Sequence, residues 1–420
     1  YKPITVVNQS NGLSAVSDQR FTVTFSGDPS AFNDSSFAGN LDLGTGSSPL
    51  FLKQADMDGD GRPDIVVANQ ASTFLTVYRN ISVPGRLSFA PRTDVEVGMM
   101  VRGMAIADLD GDGMQDLVLS NDGIAPKIHV FRNQGQPGKF IFSKTCTIGD
   151  FQYDLGYLET ADLDLDGRPD IVAMCADCAG PAAIEMCLNT GSGASMAFNS
   201  PIRFGYPSNG SVSGIMSGLG IADYDHDGWP DVFAGMFRSS SLYGFRNYGL
   251  PSSGPIFDVR VFDNYGGYAG FSTLRPLSAT FTSAEYPDLV AGNFIYHNVG
   301  GNLTEFSRNY FNASAVNDLN GDGKLDVMGT DINTGDLSIM KNSGDSAHPI
   351  AFFPSVSLHR PGSVFVDVGD LDGDAKPEIC LTYRGSNLLR ILRNRIGEPQ
   401  PPRPRLSTFS PDTASNGMQV

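Results

Sequence analysis

The hydrophobic residues of this chain fall in short runs that are separated by turn-forming residues. One representative unit has such runs at residues 104–107, 117–119, 128–131 and 140–142, with Gly, Pro, Asn or Asp between them. Short apolar runs bounded by these residues predict β-strands. No stretch shows a helical hydrophobic period of useful length. The pattern therefore predicts an all-β protein built from four-stranded units.

An acidic segment of nine residues follows the first predicted strand of most units. It reads DMDGDGRPD at 56–64 and recurs as DLDGDGMQD (108–116), DLDLDGRPD (162–170), DYDHDGWPD (223–231), DLNGDGKLD (318–326) and DLDGDAKPE (370–378). The first residues of successive segments lie 52, 54, 61, 95 and 52 positions apart. Such spacing indicates a repeated structural unit of about fifty residues.

The interval of 95 residues contains one more unit. Residues 279–292 read ATFTSAEYPDLVAG and include the same Pro-Asp-aliphatic stretch as residues 63–66. Thr280, Thr282 and Ala284 stand where the other loops carry acidic residues or Asn. The chain is therefore predicted to hold seven units, of which the fifth has lost its acidic loop.

The two ends of the array predict how it closes. The last unit has strands at 379–383 and 388–393, but the Pro-rich segment 397–405 that follows cannot supply a central strand. Residues 37–44 precede the first acidic loop by the same distance as the fourth strand of the first unit precedes the second loop. They are predicted to complete the last unit, which closes a seven-bladed β-propeller of four-stranded antiparallel blades.

Each acidic loop carries oxygen-bearing side chains at its first, third, fifth and ninth positions. Alternate side chains of a tight turn converge, and the backbone carbonyl of the seventh residue adds one more oxygen. A site with five or more protein oxygens suits Ca²⁺ better than the smaller Mg²⁺. About six Ca²⁺ ions are expected, one for each intact loop. The predicted ligands, with the seventh residue acting through its carbonyl, are Asp56, Asp58, Asp60, Arg62, Asp64, Asp108, Asp110, Asp112, Met114, Asp116, Asp162, Asp164, Asp166, Arg168, Asp170, Asp223, Asp225, Asp227, Trp229, Asp231, Asp318, Asn320, Asp322, Lys324, Asp326, Asp370, Asp372, Asp374, Lys376 and Glu378.

An EF-hand calcium sensor shares the opening residues of these loops but needs Glu at position 12 and flanking helices. Position 12 is Val67 in the first loop and an apolar residue or Gly in the others. A catalytic ion would need an open coordination position and neighbouring acid–base groups. The ions are therefore predicted to be structural staples between the first two strands of each blade.

These loops resemble the FG-GAP or VCBS repeats of α-integrin propellers and of many secreted bacterial proteins. The resemblance covers about residues 37–396 and implies that Ca²⁺ binds through the side chains at positions 1, 3, 5 and 9. Asn320 at position 3 of the sixth loop, and Ala375 and Glu378 in the seventh, depart from the pattern, as does the whole fifth loop. Calcium affinity is expected to vary accordingly.

The flanks of the propeller bear a weaker resemblance to IPT/TIG immunoglobulin-like domains. Residues 1–26 resemble the end of one such domain and residues 404–420 the start of another, with linkers at 27–36 and 397–403. The arrangement is similar to bacterial surface proteins in which propellers alternate with immunoglobulin-like modules. It implies flanking domains in the same chain and an extracellular, secreted or cell-surface location.

Charge and composition restrict the possible partners. The net charge of −17 comes mainly from the loops, and it argues against nucleic acid and anionic membranes as partners. No apolar run approaches the roughly 18 residues that span a bilayer, so membrane insertion is not expected. The N-terminus lacks the features of a signal peptide, so a leader has been removed or the chain is an excerpt.

Five cysteines are too few for a disulfide scaffold and odd in number. The pair Cys175 and Cys178 has the spacing of half a zinc or redox motif, but no second such pair follows. A disulfide from Cys187 to Cys175 or Cys178, and buried free thiols, both remain open at this point.

The turns of a four-stranded blade alternate between two faces. The acidic loops rigidify one face, which leaves the opposite face for ligands. Tyrosines on rigid loops suit protein or sugar recognition, although aromatic residues in loops also pack against one another. The candidate ligand-binding residues on the opposite face are Tyr153, Tyr157, Tyr206, Arg238, Tyr265 and Tyr268.

No catalytic motif accompanies these loops, and the histidines are scattered among different units. The chain is therefore interpreted as a calcium-stabilised binding or scaffold module of an adhesin-type surface protein, with a protein or glycan ligand, and not as an enzyme. A lectin is the alternative within binding. A carbohydrate-active lyase or glycosidase is the alternative in another class, since Asp154 and Glu159 could meet near the propeller axis.

Overall fold

The structure is a computed structural model in which every regular element is a β-strand. It describes residues 5–7, 14–16, 32, 36–37, 40–121, 126–149, 151, 154–175, 183–192, 195–205, 216–236, 241–249, 257–264, 277–279, 281, 286–331, 334–344, 351–353 and 356–398. No helix that could cross a membrane occurs among them. A short antiparallel ladder of β1 (Thr5–Val7) and β2 (Ser14–Val16) precedes the propeller.

The first four blades are four-stranded antiparallel sheets whose strands are consecutive in the chain. The first blade contains β4 (Pro49–Ala55), β5 (Asp64–Asn69), β6 (Phe74–Tyr78) and β7 (Thr93–Glu96), and the second β8 (Val101–Ala107), β9 (Asp116–Asn121), β10 (Ile128–Asn133) and β11 (Phe142–Ile148). The third contains β12 (Leu155–Ala161), β13 (Asp170–Cys175), β14 (Ala183–Cys187) and β15 (Ile202–Gly205), and the fourth β16 (Met216–Ala222), β17 (Asp231–Met236), β18 (Ser241–Asn247) and β19 (Phe257–Asn264).

The fifth and sixth blades share one six-stranded sheet, because two long strands each supply two strand positions. Its strands are β20 (Leu277–Ala279), β21 (Asp288–Val299), β22 (Asn302–Asn317), β23 (Asp326–Asp331), β24 (Leu337–Met340) and β25 (Val356–Leu358). After the turn at Gly300 and Gly301, β22 pairs first with β21 and then with β23. The fifth blade is therefore joined to the sixth by continuous sheet.

The seventh blade is completed by the N-terminal part of the chain. Its strands are β26 (Phe365–Gly369), β27 (Glu378–Tyr383), β28 (Leu388–Leu392) and β3 (Asn40–Gly44). The register pairs Leu388 with Gly44 and Leu392 with Asn40. The predicted all-β class, the seven four-stranded blades and the closure of the ring by residues 37–44 are thus confirmed. The assignment of the flanks to immunoglobulin-like domains stays a prediction.

The second strand of a blade is its most buried element. All six residues of β5 and all six of β27 are buried, whereas β3 alternates between exposed and partly buried positions. Buried side chains from neighbouring blades, such as Leu52, Leu119 and Cys380, belong to one apolar cluster. Each fully buried Leu, Ile or Val contributes about 1.5–3 kcal/mol. Packing between blades therefore holds the loops at the ends of β5 and its counterparts in fixed positions.

First strands of the first and third blades contact each other past the second blade. The rings of Phe51 and Tyr157 meet edge to face at 5.1 Å, and Lys53 Nζ lies 3.2 Å from a carboxylate oxygen of Glu159. A Cβ atom at Gly103 of the second blade would lie 1.9 Å from a backbone oxygen of the third. The absence of a side chain at Gly103 is thus what allows this close approach.

The cysteine geometry decides one of the alternatives left open. Cys187 is a buried free thiol that pairs with Ile171, which places it about 13 Å along the ladder from the position opposite Cys175. A disulfide requires Cα atoms within about 7 Å, so a bridge between Cys187 and Cys175 is excluded. Cys178 lies outside the described residues. Cys146 and Cys380 are also free thiols.

Candidate metal centres

The first residue of each acidic loop folds the loop around its own carboxylate. Oδ1 of Asp56 accepts hydrogen bonds from the backbone N–H groups of Gly59 (2.8 Å) and Asp60 (3.1 Å), and Oδ2 accepts one from Gly61 (2.8 Å). Short polar side chains that accept nearby backbone N–H groups stabilise turns in this way. The same contacts recur in the second loop around Asp108. The loops are therefore preshaped by their sequence.

The ninth residue links its loop to the end of the third strand. Oδ2 of Asp64 accepts the N–H of Met57 (3.0 Å), and Oδ1 accepts the N–H of Asn80 (2.8 Å). In the fifth blade, Asp288 makes the same pair of contacts with Phe281 and Asn298. The ninth carboxylate is thus a structural clamp as well as a candidate metal ligand. The same clamp is formed by Asp116, Asp170, Asp231, Asp326 and Glu378.

Carboxylate oxygens converge at these loops closely enough to bind one ion. In the first blade, one oxygen from each of Asp56, Asp58 and Asp64 lies within 4.8 Å of the others. The seventh blade offers positions 1, 3 and 5 instead. Such groups of hard oxygen donors fit Ca²⁺, which accepts six to eight oxygens at flexible geometry. The other groups are Asp108, Asp110 and Asp116; Asp162, Asp164 and Asp170; Asp223, Asp225 and Asp231; and Asp370, Asp372 and Asp374.

The sixth loop keeps the fold with one amide in place of a carboxylate. Asn320 accepts the N–H of Asp322 through Oδ1 at 3.2 Å and donates from Nδ2 to Asp322 at 3.1 Å. Asp318 and Asp326 retain their contacts with loop N–H groups. This loop therefore has the same shape as the others but one fewer negative charge.

Burial raises the pKa of the carboxylate at the ninth position of several loops. Burial is the largest cause and raises the pKa of Asp64, Asp116, Asp170 and Asp231 to about 7. Backbone N–H donors oppose the shift, and the neighbouring loop carboxylates add to it. Burial likewise raises the pKa of Glu378 to about 8. In the metal-free loops, these ninth-position carboxylates therefore take up protons near neutral pH. A bound divalent ion would favour their charged form.

The sixth position of the loop requires a left-handed backbone. Gly61 has φ of 87° and Gly228 has φ of 90°, a region that Gly adopts without steric cost. Ala375 occupies this position in the seventh loop with φ of 70°. Its Cβ atom imposes a strain of about 1 kcal/mol that the Gly of the other loops avoids at this position.

An arginine at the end of the third strand contacts the third and fifth positions of the loop. Arg79 Nε lies 2.5 Å from Asp58 Oδ2, and its Nη2 lies 2.9 Å from Asp60 Oδ2. Arg132, Arg246 and Arg393 make the corresponding ion pairs in the second, fourth and seventh blades. The sequence patterns did not predict this role, although an Arg-Asn dipeptide recurs at 79–80, 132–133, 246–247 and 393–394 and was a usable signal.

The Asn of this dipeptide joins adjacent blades. Nδ2 of the fully buried Asn133 donates to the carbonyl of Met57 in the first blade's loop at 2.8 Å and to that of Gln115 in its own loop at 2.9 Å. Equivalent bonds cross most of the other blade boundaries. Among the described residues, Asn342 of the sixth blade has no acceptor for its Nδ2. The contacts between blades run from Asn80 to Leu371, Asn189 to Leu109, Asn247 to Leu163, Asn298 to Tyr224 and Asn394 to Leu319.

The predicted ligand-binding residues of the opposite face fall mostly outside the described part of the chain. Five of them are outside the described residues, namely Tyr153, Tyr206, Arg238, Tyr265 and Tyr268. A role in ligand binding remains a prediction for these five residues.

Tyr157, the sixth candidate, is described. It is partly buried against Phe51 and belongs to the packed centre of the ring. A role of Tyr157 in ligand binding also remains a prediction.

Large apolar side chains are exposed on the face that carries the acidic loops. Among the described residues on this face, Val83, Val299 and Phe353 are more than half exposed. Val83 and Phe353 lie in connections between third and fourth strands, and Val299 is the last residue of β21. Met100, which is 53% exposed, lies on the opposite face. The remaining exposed ones on the loop face are Ile81, Ile141, Leu165 and Tyr248.

The described histidines and Glu159 contact separate partners in different blades. Glu159, which was expected near the axis, forms an ion pair with Lys53. His129 contacts Thr147 at 3.2 Å, and His297 contacts Asp288 at 2.8 Å in another blade. The acidic loops are the arrangement among the described residues that can bind hard cations.

Comparison with known families supports the repeat interpretation. Three segments, 56–119, 108–173 and 318–381, match the FG-GAP-like repeat. These segments contain the first, second, third, sixth and seventh acidic loops. The chain therefore carries FG-GAP-like repeats within a seven-bladed propeller. No curated protein matches the chain.

Several solved structures resemble the chain in fold. The rhamnogalacturonan lyase PL11 of Bacillus licheniformis is 13% identical over 83% of this chain and 86% of that chain, with a TM-score of 0.42. The exotype rhamnogalacturonan lyase YesX is 14% identical over 93% and 80%, with a TM-score of 0.44. The S. cerevisiae core factor is 9% identical over 93% and 61%, with a TM-score of 0.51. At these identities, the likeness concerns the fold alone.

Proposed function

We propose that this chain is a calcium-stapled propeller that serves as a binding or scaffold module of a secreted or cell-surface protein of the adhesin type. The observation that carries the proposal is the repeated convergence of three carboxylate oxygens within 4.8 Å at one position of five blades. Repetition at equivalent corners favours a structural ion over a catalytic one, since the same loop positions supply the oxygens in successive blades.

The residues that would hold each ion are the side chains at positions 1, 3, 5 and 9, together with the carbonyl at position 7. The ion would supply positive charge to a group of carboxylates that otherwise repel one another or take up protons. The loop joins the first and second strands, and its second residue accepts the Asn side chain of the next blade, as Met57 does from Asn133. Ordering one loop therefore also orders a blade boundary.

A binding role fits the rigid ring, because the described residues offer cation sites that repeat around it. The ligand surface is proposed on the face opposite the loops, which is the face that the sequence predicts for the candidate tyrosines. The exposed apolar side chains, such as Val83 and Phe353, favour the loop face as the alternative surface. Loss of binding on Tyr206→Ala would support the first surface, and loss on Phe353→Asp would support the second.

The adhesin proposal and the lectin alternative differ in the ligand, which is a protein in the first and a sugar in the second. A glycan array probed with the calcium-loaded protein separates the two, since a lectin would bind defined sugars and a protein binder would not. Lyase or glycosidase activity on a panel of polysaccharides, lost on Glu159→Gln with the fold intact, would replace both with the enzyme alternative.

Thermal unfolding with and without a chelator tests whether bound Ca²⁺ stabilises the propeller. An ion at about 100 times its Kd contributes about 2.7 kcal/mol, so several ions together raise Tm by many degrees. We expect Tm to fall on chelation, to recover with Ca²⁺ and to recover less with Mg²⁺. An unchanged Tm in protein shown to be free of metal would contradict the proposal.

A further inference from the structure

The loops differ in how much fixed positive charge accompanies them. Arg246 lies 3.2 Å from Asp227 through Nη2 and also pairs with Asp225, so one guanidinium bridges positions 3 and 5 of the fourth loop. In the third blade, Leu188 stands where this arginine would be. Among the described residues, no ion pair reaches Asp164, the third position of that loop. The sixth blade has the more distant Lys341, 3.7 Å from Asp322.

The arginine is not needed to orient the carboxylate at the fifth position of the loop. In the fourth loop, Oδ1 of Asp227 accepts the backbone N–H of Trp229 at 3.0 Å, which leaves Oδ2 for Arg246. In the first loop, Asp60 is held in the same way by the N–H of Arg62 at 3.0 Å. Since backbone donors already fix these side chains, the main contribution of the arginine is its charge.

We propose that the arginine at the end of the third strand is a resident counter-cation that supports the metal-free loop and lowers its affinity for metal. The inference rests on the proposed metal sites. It makes the third loop, in which Asp164 lacks this arginine and Arg168 pairs with Asp166 instead, a site whose third carboxylate keeps no paired cation when the ion leaves. The loops with Arg79, Arg132, Arg246 and Arg393 retain a partly neutralised carboxylate cluster when the ion leaves.

The size of the effect follows from Coulomb's law. A unit charge and a divalent ion about 6 Å apart in bulk water repel enough to lower affinity roughly tenfold. Salt weakens the repulsion at this partly exposed position, because the Debye length is about 10 Å at 0.1 M ionic strength. Removal of one arginine is therefore expected to tighten its own loop by about five- to tenfold at low salt.

Metal binding to the fourth loop can be measured separately from binding to the other loops. Trp229 is the sole tryptophan of the chain and occupies the seventh position of this loop. Its ring packs on Gly249, where a Cβ atom would lie 2.2 Å from the indole. Tb³⁺ bound in the fourth loop would thus be sensitised by a neighbouring indole that is held in place. Selective excitation of tryptophan confines the signal to this site.

The experiment titrates Tb³⁺ into full chains that carry Arg246→Gln, Arg246→Lys or Arg132→Gln. We expect Arg246→Gln to lower the half-saturating Tb³⁺ concentration about ten- to thirtyfold, because the repulsion scales with the charge of this trivalent ion, and to lower Tm in chelator. Arg246→Lys should behave like the parent because it keeps the charge. Arg132→Gln, the matched change in the second blade, should leave the Trp229 signal unchanged.

The outcomes separate this inference from the metal sites themselves. A sensitised signal that Ca²⁺ displaces, with unchanged or weaker binding in Arg246→Gln, would overturn the counter-cation role and leave the metal site standing. Tighter binding in Arg132→Gln by the same factor would also overturn it, because the effect would then not be local. The absence of any displaceable signal in the parent protein would contradict both the inference and the metal site.

Discussion

The contacts between blades predict an unequal cost for the same substitution at two equivalent positions. Asn133→Ala removes the side-chain bonds to the carbonyls of Met57 (2.8 Å) and Gln115 (2.9 Å) and the acceptor for the N–H of Gly135 (2.9 Å). Asn133 is fully buried, so no water replaces these partners. The matched variant is Asn342→Ala, which removes one contact, to the N–H of Gly344 at 2.9 Å.

The magnitudes follow from the number of bonds lost. A net contribution of about 0.5–1.5 kcal/mol for each hydrogen bond, and up to about 3 kcal/mol for a buried group left without a partner, gives about 3–4 kcal/mol for Asn133→Ala. Asn342→Ala should cost about 1 kcal/mol or less, because it also removes a buried Nδ2 that has no acceptor among the described residues. The difference between the two variants is therefore about 2–3 kcal/mol.

Urea unfolding of the calcium-loaded protein, followed by Trp229 fluorescence, measures this difference. Both variants should keep the parent slope, so that the shift in midpoint reports stability. Equal losses for the two variants would refute the reasoning, since the bond between blades would then contribute nothing. A smaller loss for Asn133→Ala than for Asn342→Ala would refute it as well.

Three other predictions concern individual side chains. Ala375→Gly should raise the free energy of unfolding by about 0.5–1 kcal/mol in a denaturant titration, because it removes a Cβ atom at φ of 70°; a loss would contradict the strain. Burial lowers the pKa of His129 to about 4, so the unfolded chain takes up a proton below its ordinary pKa near 6.5 while the folded chain does not. Stability should therefore fall by about 1–2 kcal/mol between pH 7 and pH 5 relative to His129→Gln, and parallel pH profiles would disprove this. A double-mutant cycle of Lys53→Met and Glu159→Leu should show a coupling of about 1 kcal/mol or more, whereas additive losses would mean that the 3.2 Å ion pair is without effect.

The fold could be predicted from sequence because its signals are local and repeated. The alternation of short apolar runs with turns predicted the strands, and the position of residues 37–44 relative to the first loop predicted the closing strand β3. The acidic loops were equally legible, because four ligand positions lie within nine residues. A metal site whose ligands lie close together in the sequence can be predicted without knowing how the chain folds.

The contacts that join blades could not be predicted in this way. Asn133 and Met57 are 76 positions apart, and nothing in the spacing of the Arg-Asn dipeptide identifies a carbonyl in the preceding blade as its acceptor. From its sequence, the fifth unit differed from the others only by the replacement of its acidic ligand residues. The structure shows why Asp288 is retained there, since it clamps Phe281 and Asn298 without any of the other acidic positions.

The most direct measurement of the central claim is anomalous scattering from crystals grown with Ca²⁺. We predict an ion at the centre of each of the six acidic loops, bound by the side chains of positions 1, 3, 5 and 9, and none beside Asp288 in the fifth blade. Loops that keep their shape and contain no ion at saturating Ca²⁺ would contradict the account.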